Sequence, residues 1–323
     1  MSHPQVIRDE ADHLAQLRAD VVVGLSSVPK WLPPRWFYDA RGSALFEQIT
    51  RLPEYSPTRT ERAILAGHSR ETARATGATT LVELGAGTSE KTRLLLDALV
   101  SHGTLREFVP LDVSESTLRE AAAAISADYP GVAVRPLVRD FTRDLAPLPS
   151  DGVRLVAFLG GTIGNLVPAE RARFLADLRA SLEPGEWLLL GAGLVIDPEV
   201  LVPAYDDAAG VTAEFNRNIL HVLNRELGAD FDVEAFEHVA VWVAEHEWIE
   251  MRLRATRAMT VRLPAAGLTV RFAAGEELRT EVSAKFRRAG LTRELAAAGF
   301  AVRHWWTDPD QRFSLSLSQA VSP

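Results

Sequence analysis

A parallel, doubly wound α/β sheet with a second, inserted α+β segment is the fold class the sequence predicts, from three observations. From residue 78 onward, strand signals alternate with helix signals, as in chained β-α-β units. Glu83, Asp112, Asp140 and Asn165 each follow the end of an expected strand, and the carboxyl ends of strands are where such sheets bind ligands. The alternation then breaks over residues 197–285 and resumes near the end of the chain.

Taken in order, Leu14, Leu17, Val21, Val22 and Leu25 recur at helical spacing, which predicts a surface helix over residues 9–25. Pro29, Pro33 and Pro34 stop it. Trp36, Phe37, Tyr38 and Phe46 then stand among prolines, as the wall or lid of a site does or as a staple onto the next domain. Thr58 and Glu61 have the spacing of a capping box and lead into a helix. Strands are expected over 79–84, 108–113, 132–138, 153–159 and 187–190, with helices over 90–100, 117–126 and 171–182 between them. Residues 197–258 read as largely helical, with strand alternation beginning at His246. Residues 261–263 and 268–272, parted by Pro264 to Gly267, read as a hairpin. Residues 280–286 read as the opening of another helical region, and a hairpin over 302–317 closes the chain.

The 323 residues suffice for one large or two ordinary domains. A net charge of −8 without any basic block argues against a nucleic-acid partner, since phosphate binding needs a basic face. The chain has no cysteine, which excludes disulfides and Cys-ligated zinc. Its eight histidines show no H-E-x-x-H or other ligand spacing, so no metal is expected. No G-x-S-x-G elbow supports hydrolysis. The start of the chain is too polar for a signal peptide, and no apolar run reaches membrane-spanning length. The expectation is a soluble cytoplasmic protein, monomeric and without a membrane or nucleic-acid partner.

The chemistry centres on Leu81 to Thr92, an apolar strand, a Gly-rich turn and the start of a helix. Gly85 and Gly87 let backbone approach a ligand, and Thr88 or Ser89 can cap the helix. The dinucleotide pattern G-x-G-x-x-G and the P-loop both fail at Glu90, where each requires glycine. A carboxylate there repels a pyrophosphate, and Glu83 adds a second negative charge. Those charges suit a cationic, phosphate-free ligand, S-adenosylmethionine (SAM). Asp112, 25 residues after Gly87, has the place of the acid that accepts ribose hydroxyls. Asp140 can accept from an adenine amino group, with Phe141 packing beside it. A helix cap is the competing role for either acid. Lys91 is unusual at a helix start and can pair with a carboxylate.

Six further segments extend the pattern: K-W-L-P-P-R-W-F-Y (30–38), L-P-E-Y-S-P-T-R-T-E (52–61), F-L-G-G-T-I-G-N-L (158–166), residues 205–218, T-E-V-S-A-K-F (280–286), and W-W-T-D (305–308). With the Leu84 to Thr92 turn, they resemble the histidine-specific, SAM-dependent Nα-methyltransferases of ergothioneine biosynthesis over nearly the whole chain. The resemblance implies a Rossmann-like class I methyltransferase sheet, which commonly ends in a hairpin. It implies an inserted α+β substrate-binding domain of residues 1–60 plus 197–285, and a SAM-binding domain of 61–196 plus 286–323. It further implies that L-histidine is trimethylated to hercynine. Tyr55, Gly85, Lys91, Asp112, Asp140 and Phe141 would hold SAM. Asn165, Tyr205 and Tyr55 would hold the histidine carboxylate, and Glu281 and Ser283 the imidazole, near Met251. Tyr38 would orient the amine, with Phe46 and Gly160 lining the transfer path. An α-amino group of pKa about 8 must lose a proton before each transfer, and aromatic faces suit the growing methylated cation. The readings that compete are a SAM-dependent N-methyltransferase of another amino acid or amine, a SAM-binding regulator, and, disfavoured by Glu90, a nicotinamide oxidoreductase.

Overall fold

The structure is a computed structural model that describes residues 10–142, 145, 148–149 and 152–322. Residues 1–9, part of the polar start read above as no signal peptide, lie outside the described residues. The chain opens with α1 (Glu10–Ser26), β1 (Lys30–Trp31), α2 (Ala40–Ile49) and α3 (Pro57–Thr76). The alternating region holds β2 (Thr80–Leu84), α4 (Arg93–His102), β3 (Glu107–Asp112), α5 (Glu115–Asp128), β4 (Ala133–Val134) and β5 (Leu137–Val138). It continues through β6 (Arg154–Phe158), α6 (Pro168–Ala180) and β7 (Trp187–Gly193). Then come α7 (Pro198–Leu201), α8 (Val211–Leu227), β8 (Phe236–Val243), β9 (Trp248–Ala255), β10 (Met259–Leu263) and β11 (Leu268–Phe272). The chain closes with β12 (Glu277–Ala284), α9 (Arg288–Ala297), β13 (Phe300–Thr307) and β14 (Phe313–Ala320).

Two compact units share these elements. Of the described residues, one unit holds 57–196 and 284–322, and the other holds 10–56 and 197–283.

The first unit is built on an eight-stranded sheet ordered β13-β14-β7-β6-β2-β3-β4, with β5 also paired to β3. Strands β2, β3, β6 and β7 run parallel, and the β13–β14 hairpin adds antiparallel to β7. The sheet is the class I methyltransferase arrangement that the resemblance implies. Strands β2 and β6 are buried at every position, as strands covered on both faces must be. Leu81, Leu96, Leu99, Phe108, Leu155, Leu189 and Leu315 belong to one apolar core. The chain winds one way from β2 to β3 and the other way from β2 to β6. The carboxyl ends of β2 and β6 therefore flank the switch point where such sheets bind ligands.

The second unit has a four-stranded sheet, β1-β12-β9-β8, and a separate β10–β11 hairpin. Helix α8 buries Phe215, Ile219, Leu220, Val222, Leu223 and Leu227 along one stripe and packs on α2, β8 and β9.

Several local expectations are corrected. Residues 236–243, expected as helix, form β8, paired from Phe236↔Ala255 to Val243↔Trp248. Val239, Val241, Trp242 and Val243 suit a pleated surface better than a helix. Residues 280–284 are strand rather than helix; β12 pairs with β1 and neighbours β9, and the following helix starts only at Arg288. The expected third strand is two short pieces, β4 and β5, on either side of Arg135 and Pro136, since proline cannot donate to a ladder. Helix α4 begins at Arg93, and Thr88 and Ser89 belong to the turn before it. Thr58 lies inside α3 and Glu61 is buried, so the expected capping box does not form.

Candidate active site

In the sheet unit, the turn after β2 is a backbone device. Gly85 and Gly87 have φ of +70° and +51°, a region that L side chains rarely enter. Gly85 is exposed. The Gly87 N–H donates to Asp112 Oδ2 at 2.8 Å, tying the turn to the end of β3. The Ser114 N–H donates to Asp112 Oδ1 at 2.9 Å. Burial holds the Asp112 carboxyl above its ordinary value, against the pull of those backbone donors. Each oxygen keeps a lone pair for a further donor. Asp140 accepts from the Thr142 N–H at 3.0 Å and from its hydroxyl at 2.5 Å, and is half-buried. Phe141 is buried against Phe158 and Phe174, and its ring faces Gly85. Gly85, Asp112 and Phe141 are thus neighbours at one sheet edge.

Glu83 is not the ligand-facing charge that the sequence suggests. It is buried and accepts from the Ser89 hydroxyl at 3.1 Å and from the Thr92 hydroxyl. Burial pushes its carboxyl up to about 7, so its work is to shape the turn.

Glu61, expected from its spacing only as half of a capping box, has a different place. Its carboxylate is fully buried, pairs with Lys91 and accepts the Gly160 N–H at 2.9 and 3.0 Å. The available signal was a carboxylate on the same helical stripe as Ile64, Leu65, Thr72 and Ala73, all buried. Asn165 ends the short helical turn Thr162–Asn165 that follows β6.

In the second unit, aromatics of the proline-rich segment pack into one cluster. Phe46 lies edge-on to Tyr38 at 5.7 Å and to Tyr55 at 6.3 Å. Phe215 of α8 stands 5.6 Å from Tyr38 and 5.9 Å from Phe46. Tyr55 and Tyr205 are buried. The Tyr205 hydroxyl shares a hydrogen bond of 2.8 Å with Ser283, which joins residues expected at opposite ends of an amino acid. Glu281 is half-buried two positions earlier on β12, so it shares the Ser283 face of the strand. Met251 is buried on β9, beside β12.

Behind Tyr205 runs a second feature that the sequence did not disclose. Thr280 donates to Asn216 Oδ1 at 2.5 Å, with the Met251 carbonyl at 3.0 Å. Asn216 is fully buried and donates through Nδ2 to His238 Nδ1 at 2.8 Å and to the Arg252 carbonyl at 3.0 Å. His238 Nδ1 is therefore an acceptor, and Nε2–H donates to the Tyr205 carbonyl at 2.7 Å. Burial lowers the His238 pKa, in keeping with a neutral ring. Tyr205 is thus held by its carbonyl through His238 and by its hydroxyl through Ser283. Asn216→Ala removes one partner each from Thr280, His238 and the Arg252 carbonyl and is expected to cost about 1–3 kcal/mol of stability. Chemical denaturation measures this, and an unchanged midpoint would show that the network adds nothing.

Among the described residues, no group of three or more His, Asp or Glu side chains is gathered to hold a metal ion. No described helix is long and apolar enough to cross a membrane.

Comparison with known proteins follows the same line. The family model of the histidine-specific, SAM-dependent methyltransferases matches residues 17–320. A histidine N-alpha-methyltransferase of Mycolicibacterium smegmatis is 59% identical over 95% of this chain and 96% of its own. One of Mycobacterium tuberculosis is 57% identical over 96% of each chain. Ergothioneine biosynthesis protein 1 of Neurospora crassa is 31% identical over 86% of this chain and 32% of its own. Among solved structures, an S-adenosylmethionine-dependent methyltransferase of Clostridium acetobutylicum aligns with a TM-score of 0.49 at 11% identity, covering 86% of this chain and 98% of the other. Matched by the family model over most of its length and 59% identical to such an enzyme, this chain belongs to the histidine-specific, SAM-dependent methyltransferases.

Proposed function

We propose that this protein trimethylates the α-amino group of L-histidine, giving hercynine in ergothioneine biosynthesis. The observation that carries the proposal is the 59% identity, over nearly both full lengths, to a histidine N-alpha-methyltransferase. The residues present fit the methyl donor. The Gly85 turn is exposed, Asp112 offers half-buried acceptor oxygens for hydroxyls, and Phe141 offers an apolar face beside Gly85. Asp140 and Lys91 complete the set at that sheet edge. SAM, when bound, supplies a methyl group on a sulfonium.

What the chain contributes is binding and orientation. Glu281 and Ser283 offer a carboxylate and a hydroxyl to an imidazole, whose two nitrogens need separate partners. Tyr205, Tyr55 and Asn165 take the substrate carboxylate as neutral donors. A cation in their place would disfavour the nearby ammonium. Tyr38 orients the amine, and the rings of Tyr38 and Phe46, with Gly160, line the path of transfer. Aromatic faces attract the quaternary ammonium as it forms. No step requires a metal.

Mass spectrometry of the purified protein with SAM, the common amino acids in competition and a chelator tests the proposal. The expected product is trimethylated histidine with three equivalents of S-adenosylhomocysteine, at a rate the chelator does not change. Preference for another amino acid would overturn the substrate assignment. Loss of activity restored by one metal would overturn the metal-free reading.

A further inference from the structure

Three segments of the sheet unit meet at the Glu61 carboxylate. It comes from the first turn and a half of α3 and is fully buried. The Gly160 N–H, after β6, donates to both of its oxygens. Lys91, from the turn after β2, forms an ion pair with Oε2. On β7, Gly191 leaves room for the carboxylate, since a Cβ there would collide with Oε1. The Lys91 ammonium lies 3.8 Å from the point where a Cβ on Gly160 would stand. This pair therefore occupies the carboxyl-end edge of β2 and β6, beside the switch point.

An ion pair whose carboxylate is buried and whose ammonium is part-exposed is a weak device for stability alone, because burying the carboxylate costs desolvation that well-packed apolar residues avoid. Its place suggests another use. An uncompensated ammonium at this edge would repel a ligand whose reacting atom is itself cationic, and such repulsion is strong where water is excluded. Resting on the methyl-donor reading above, we propose that Glu61 is a positioning residue. It fixes the Lys91 ammonium beside the Gly160 turn and cancels its charge, so that this edge accepts a sulfonium while Lys91 remains a donor.

The test compares SAM, which carries the sulfonium, with S-adenosylhomocysteine, which lacks the methyl group and so has a neutral sulfur. Calorimetry gives the ratio of the two affinities for wild type and variants. Glu61→Gln keeps an oxygen for the Gly160 N–H but removes the charge that pairs with Lys91. The ratio of SAM affinity to S-adenosylhomocysteine affinity should fall about fivefold or more. Lys91→Met leaves the Glu61 carboxylate uncompensated and should raise the ratio by a similar factor. A merely structural role would weaken both ligands together and leave the ratio where it was. Ratios within about twofold of wild type in both variants, or shifts of the same sign, would overturn the proposal. If Glu61→Gln does not fold, Lys91→Met decides alone: an unchanged or lowered ratio overturns it. A wild-type protein that binds neither ligand would instead remove the methyl-donor reading, and this inference with it.

Discussion

Asp112→Ala is expected to weaken SAM binding about ten- to hundredfold, the range set by losing hydrogen bonds to a charged acceptor at roughly 1.5–3 kcal/mol. Two losses combine in this variant. The ligand loses its acceptor, and the Gly87 N–H loses the partner that ties the Gly-rich turn to β3. Asp112→Asn separates them, because its carbonyl oxygen can still accept one backbone N–H while the charge is gone. Calorimetry should show both variants impaired, with the alanine variant worse, and a far-ultraviolet spectrum like that of wild type. The competing role, a cap on α5, has a foothold in the Ser114 N–H bond. Unchanged SAM affinity with a lowered melting temperature would assign Asp112 to that role alone.

Glu281→Ala is expected to raise the KM for histidine about ten- to hundredfold while SAM affinity changes little. It should also relax the rejection of other aromatic amino acids. A site built to bond a ring N–H rejects analogues lacking it, because its own buried polar groups are left unpaired. The structure removes one alternative: Glu281 lies inside β12, well before α9, so it stabilises no helix N-terminus. Its face of the strand also carries Glu277 and Arg279, which pair with arginines and an acid of β9. Wild-type KM and selectivity together with lost thermal stability would assign Glu281 to that ionic surface instead.

The fold was legible where period and composition agree. The apolar strands β2, β3 and β6 are short continuous runs bounded by glycine or acid, and their strand-helix alternation admits few arrangements. It failed where one sequence suits two states. Residues 236–243 and 280–284 mix polar and apolar side chains without a clean period, and only pairing with neighbouring strands decides them. The Gly-rich turn and the acids Asp112 and Asp140 were visible because their chemistry is local. Glu83 shows the limit of that logic, since its charge was visible but its burial was not. Glu61, Asn216 and His238 act through partners distant in sequence. Such partners follow from topology, which no spacing discloses.

Histidine offers three nitrogens, and the proposed function assigns all three methyl groups to the α-nitrogen. If Glu281 and Ser283 hold the imidazole, the ring nitrogens are occupied and the amine is the nucleophile. The most direct measurement is nuclear magnetic resonance of the product formed from L-histidine and SAM labelled with carbon-13 at its methyl. Three equivalent labelled methyls on the α-nitrogen and an unlabelled ring are expected. Label on an imidazole nitrogen, or a product that stops short of the quaternary amine, would contradict it.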